Sequence, residues 1–330
     1  MSIQRLKERH MYQSTFKTVV ACLVTVALAG YSWAASGQDI ERSFTVAEGD
    51  RVVVDVERAD LNITAWDRSE VGFSVSNTER YEFDFSQENG VVTINGEYDR
   101  PGFLFGGFSN RRSAVVTMNV PYRQNLDLRT SGGDIDLDRL QGEFHACTSG
   151  GNIEAGTIDG SSNLRTSGGT IRLENSSGPV VAETSGGSIR LNQVGGEVSA
   201  KTSGGRIRIG ETAAAVEART SGGSINIESA GGAVFARTSG GSVEVGFAGQ
   251  PDRDSGPRTS GVSVTAYLID DVQANIDAST SGGRVTSDIP GVAPENSAGR
   301  SNLEQALNGG GPELVMRTSG GSVRILRHEN

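Results

Sequence analysis

Val198-Ser199-Ala200-Lys201-Thr202-Ser203-Gly204-Gly205-Arg206-Ile207-Arg208-Ile209 is the stretch that decides the fold. Apolar and polar residues alternate on both sides of a Thr-Ser-Gly-Gly turn, which is the period of a strand with one dry and one wet face. The same tetrapeptide starts at Thr130, Thr148, Thr166, Thr184, Thr202, Thr220 and Thr238, 18 residues apart each time. It returns as Thr-Ser-Gly at Thr259 and in full at Thr280 and Thr318, at longer spacings that mark insertions. Six residues before the threonine a further glycine recurs at Gly142, Gly160, Gly178, Gly196 and Gly232, with Ala214 as the exception. Each 18-residue unit therefore holds two strands and two turns.

Such a unit cannot bury its apolar face alone, so it must stack on its neighbours. The pattern predicts an all-β chain, a parallel β-solenoid (β-helix) of roughly ten coils with the threonines turned inward. At strand spacing, that many coils make a rod on the order of 50 Å long, with contacts of low sequence separation. The regular solenoid is expected over residues 130–328, with loops at 247–257 and 288–302 and a short helical turn at 302–307. Residues 35–43 read as a linker and 44–129 as less regular coils, traced through Leu126-x-Leu128, Val52-x-Val54-x-Val56 and Leu61-x-Ile63. A separate antiparallel β-domain over 40–120 is the alternative, since FSVSN, YEFDF and VVTIN also read as hairpin strands. Valine at both Gly204 and Gly205 should disrupt several coils at once.

The chain has 45 glycines, and each one inside regular structure costs roughly 0.5–1 kcal/mol relative to alanine, so they mark positive φ or close backbone approach. Hydrophobic content of 35% and aromatic content of 6% suit a thin, repetitive core. Residues 1–34 read as a secretory signal peptide: Arg5, Lys7, Arg9 and Lys17 precede the apolar run Thr18–Gly30, and Ser32-Trp33-Ala34 offers a cleavage site. An uncleaved anchor is the rival reading, but a spanning helix needs about 20 apolar residues. Cys22 lacks the sequence context of a lipoprotein cysteine. Cleavage would take the formal charge from −10 to −13, a poor balance for binding nucleic acid. It would leave Cys147 as the one cysteine, so no internal disulfide is expected. The expected location is the periplasm, the cell surface or the medium, without stable membrane insertion.

Chemistry-bearing residues are sparse. A calcium β-roll needs an aspartate in each turn, and here the turns hold Thr, Ser and Gly. Asp134, Asp136 and Asp138 imitate the start of an EF-hand loop, but Arg139 replaces its glycine and His145 its glutamate, so they read as the wet side of a strand. His145 and Cys147 are about 6.5 Å apart on one strand face, too far for a direct nucleophile–base hydrogen bond, and two ligands do not make a zinc site. Neither a cofactor nor a metal is expected, and no set of residues selects a catalytic function. Outward residues just before the turns include Arg129, Arg165, Lys201, Arg219, Arg237, Arg258 and Arg317, with Cys147 and Glu183 interspersed, while Arg172, Arg190 and Arg208 form a second short row. Two readings compete for the main row. Its charges pair with nearby acids, or they form a stripe for an anionic polysaccharide. Phe103, Phe105 and Phe108 lie close together in PGFLFGGFSNRR, either packed against the rod's end or exposed as a contact loop.

The repeated TSGG-x-[IV]-x-[IV], the start GDRVVVDVERADLNITAW, the join VPYRQNLDLRTSGGDIDL and the ending LNGGGPELVMRTSGGSVRIL resemble a bacterial adhesin-like domain family of unknown function, β-strand-repeat proteins of the cell envelope. The likeness spans roughly residues 44–328. It implies an envelope location, and relatives are linked to adhesion or envelope-stress signalling; it carries no catalytic residues over. The expected function is a non-enzymatic scaffold or binding module whose partner is an anionic glycan or another envelope protein. The alternatives are a polysaccharide-active β-helix enzyme and a partner in envelope-stress sensing.

Overall fold

The computed structural model describes residues 39–99, 113–292 and 301–328. The signal-peptide reading of 1–34 and the Phe103, Phe105 and Phe108 loop lie outside the described residues. Within them the chain is all-β: one 27-stranded sheet, mixed but mostly parallel, folded round a shared core in a solenoid-like stack. Each rung has one strand before its Thr-Ser-Gly-Gly turn and one after it. Val180–Glu183, Val198–Lys201 and Val216–Arg219 follow one another on the first flank, and Ile189–Val194, Ile207–Thr212 and Ile225–Ala230 on the second. Every pair is parallel and in register at 18 residues, as in Ala182↔Ala200↔Ala218 and Ile189↔Ile207↔Ile225. Parallel sheets are usually covered on both sides. Here only the inner side is covered, which is why the strands alternate instead of running continuously apolar.

Val198, Ala200, Ile207 and Ile209 are at most 3% exposed, and their equivalents fill the space between the flanks. The turn threonines are buried too, and those from Thr148 to Thr238 make the same two hydrogen bonds. Thr202 Oγ1 donates to the Gly187 carbonyl of the preceding rung at 2.9 Å and accepts from the Gly205 amide of its own turn at 3.3 Å. Thr166, Thr184, Thr220 and Thr238 repeat the pair. A buried backbone group left unpaired is costly, so the inward threonine serves as an internal cap for every turn. The second glycine has a different cause from positive φ: a Cβ on Gly205 would sit 1.8 Å from the Gly187 carbonyl oxygen. Gly204 has its nearest such contact at 3.4 Å, so the close approach falls on one glycine of the pair.

Rungs follow chain order from Thr130 to Thr259 but not at the ends, which corrects the expectation of purely local stacking. Arg51–Val56 lies between Val91–Tyr98 and Asn125–Thr130, and Ala59–Trp66 lies between Ala114–Pro121 and Ile135–Leu137. At the other end the final rung, Glu313–Thr318 with Val323–Arg327, enters between the Thr259 and Thr280 rungs. The threonine ladder follows spatial order across this break: Thr318 donates to Val262 and Thr280 to Gly321. Antiparallel strands then cover the outer rungs. Tyr81–Glu88 pairs with Val91–Tyr98; Glu70–Ser76 and then Ile40–Thr45 extend the other flank. Such caps satisfy backbone edges that would otherwise template further stacking.

Residues 302–307 are a strand, not the expected helical turn, and pair antiparallel with Ala274–Thr280. Leu303 and Leu307 are four apart, a spacing that suits one face of a helix and one face of a strand equally. The unpaired edge of Ala274–Thr280 decides between them, because only a strand satisfies its backbone.

Candidate functional site

The interior is filled, so the chemistry available to a ligand is on the outside of the flanks. The residues preceding the turns form one outward row in register: Arg129, Cys147, Arg165, Glu183, Lys201, Arg219, Arg237, Arg258 and Arg317. Acids neutralise most of it. Arg129 pairs with Asp127 at 2.9 Å and Arg219 with Glu217 at 2.8 Å, in each case two residues back on the same strand face. Glu183 lies between Arg165 and Lys201, at 3.5 and 3.8 Å. Arg317 reaches Asp277 and donates to Ser279 Oγ at 2.7 Å. Among the described residues, Arg237 and Arg258 have no acidic partner. On the other flank Arg172 pairs with Glu154 and Arg208 with Glu228, on either side of Arg190.

Asp134, Asp136 and Asp138 are exposed while Ile135 and Leu137 are buried, which is strand alternation. Although the residue is exposed, partial desolvation of its carboxyl by the strand face pushes Asp136 above its usual range, and the neighbouring carboxylates Glu154, Asp134 and Asp60 add to the shift. No group of three or more His, Cys, Asp or Glu side chains among the described residues is arranged to hold a metal ion. Cys147 is exposed and unpaired, two residues from the exposed His145. At the far end of the second flank, Tyr267 donates to Glu244 at 2.8 Å, and this bond holds the phenol above its ordinary range. Among the described residues no helix is long and apolar enough to cross a membrane.

These features define an all-β repeat protein of solenoid-like build with rows of like side chains along its surface. The chain belongs to the Toastrack DUF4097 family, whose model matches residues 50–325. Solved structures similar to it include a candidate adhesin from Bacteroides fragilis, at 13% identity and a TM-score of 0.42, covering 88% of this chain and 98% of that one. A candidate lipid-binding protein from Parabacteroides distasonis has 13% identity and a TM-score of 0.36, covering 88% and 97%. A candidate cell adhesion protein from Clostridium sporogenes has 14% identity and a TM-score of 0.22, covering 88% and 100%. No curated protein matches this chain.

Proposed function

We propose that the protein is an exported, non-enzymatic binding module of the cell envelope, an adhesin-like scaffold that presents the flanks of its stack to an anionic polysaccharide. One observation carries this reading: side chains of one kind recur on successive rungs in strict register, as Arg219, Arg237, Arg258 and Arg317 do. A linear array of cations at a fixed spacing suits an extended polymer better than a compact ligand, and it does so on a chain whose net charge is negative.

The test uses the chain without residues 1–34 on an immobilised uronic-acid polysaccharide. The expected result is retention that weakens as salt rises, with Arg165→Gln, Arg219→Gln and Arg237→Gln together eluting at clearly lower salt. Retention of the triple variant equal to that of the parent would remove the cationic row from the account. Depolymerisation of any member of a glycan panel would favour the enzymatic reading instead.

A further inference from the structure

The cationic row changes character between Arg219 and Arg317. Arg219 faces Arg237, Arg237 faces Arg258 and Arg258 faces Arg317 on successive parallel strands, at a rung spacing of about 4.8 Å. The outer two have acids, Glu217 and Asp277, and the middle two have none among the described residues. Arg237 is exposed; Arg258 is half-buried, and its Nε is enclosed without a hydrogen-bond partner. Like charges directly opposite one another on neighbouring strands destabilise a sheet. Where a sequence breaks such a rule without local compensation, function is the usual reason.

A second row runs beside the first, two residues earlier on each strand: Glu217, Phe235, Gly256, Val315, which is buried, and Asp277. Phe235 is 43% exposed, one of two large apolar side chains left open to solvent among the described residues. Gly256, its neighbour across the strands, has no side chain. An atom at its Cβ position would lie 3.7 Å from Arg258 Nε and 3.8 Å from Phe235 Cδ1. The glycine therefore leaves a shallow notch with a guanidinium on one wall and an aromatic edge on the other. Val234 and Ala236, on either side of Phe235 in its strand, are fully buried in the core.

We infer that this notch is the point on the flank that binds an acidic saccharide, with its carboxylates on Arg237 and Arg258 and the apolar face of a sugar ring against Phe235 over Gly256. The inference rests on the anionic-polysaccharide reading above and localises it. A guanidinium takes a carboxylate through two parallel hydrogen bonds, and a uronate chain offers a carboxylate on every ring. An acyl chain would find no depth here, so a lipid is the poorer occupant.

Isothermal titration with an oligogalacturonate tests this on the chain without residues 1–34. Arg237→Gln with Arg258→Gln is expected to lower affinity at least tenfold while the melting temperature stays level or rises, because the substitutions relieve a like-charge stack. Gly256→Leu fills the notch without altering charge and should cause a comparable loss. Arg51→Gln with Arg123→Gln, which removes the same charge at the other end of the stack, should change affinity less than twofold. A parent chain that binds no anionic glycan would overturn this site and the proposed function together. A parent that binds while the double variant and Gly256→Leu bind equally well would leave the function standing and overturn this site. Capture by phosphatidylglycerol vesicles without binding of the oligosaccharide would overturn the saccharide as its ligand.

Discussion

Gly151→Ala is expected to destabilise the stack by about 3 kcal/mol or more, whereas Gly150→Ala, one residue away, leaves stability within about 0.5 kcal/mol. A Cβ on Gly151 would lie 1.9 Å from the Gly133 carbonyl oxygen and 2.4 Å from its carbon. That carbonyl cannot give way, because it accepts the Thr148 hydroxyl at 2.9 Å, and the strand after it is held by Ile135 N donating to the Asn152 carbonyl at 2.9 Å. Relief would require opening the rungs, and each rung is the template for the next. On Gly150 the nearest backbone atom would be 3.6 Å away, an ordinary contact. Urea unfolding followed by circular dichroism measures both. Equal midpoints for the two variants would show that close approach does not explain the second glycine.

Thr202→Val should cost about 2–3 kcal/mol, and Thr202→Ser only about 1 kcal/mol, although valine preserves the shape of the side chain and serine does not. The difference is chemical. Valine leaves the Gly187 carbonyl and the Gly205 amide without the hydroxyl that serves both, at 2.9 and 3.3 Å, in a site that is largely buried. Serine keeps both bonds and gives up one methyl group. The same unfolding measurement ranks the pair, and a valine variant more stable than the serine one would mean that the ladder is held by packing and not by its hydroxyls.

The rung was legible because its period, its inward threonine and its glycines recur without change. The order of the rungs was not, since an 18-residue phase places every rung equally well on any other. Only the chain's reach and the caps decide that Glu313–Thr318 enters between the Thr259 and Thr280 rungs. The leucines of Asn302–Leu307 left helix and strand undecided for the same kind of reason: a spacing of four satisfies both periods. Val262 stands where the second glycine of its turn would be, and it is left 45% exposed. For the candidate site, the row of cations was visible but its neutralisation was not sorted rung by rung. Part of the signal lies two residues before the arginine, where Asp127 and Glu217 mark paired rungs and Phe235 and Gly256 the unpaired ones; Arg165 and Arg317 instead take their acids, Glu183 and Asp277, from a neighbouring rung.

The stacking itself is tested most directly, on the chain without residues 1–34, by distances between nitroxide labels placed at equivalent turn serines, with Cys147 replaced by serine. From Ser149, labels at Ser221, Ser239, Ser260, Ser319 and Ser281 are expected at about 19, 24, 29, 34 and 38 Å, one strand spacing per rung. Ser281 would then be farther away than Ser319, although it comes earlier in the chain. Distances that fail to grow by a constant step, or that place Ser319 beyond Ser281, would contradict the stack described here.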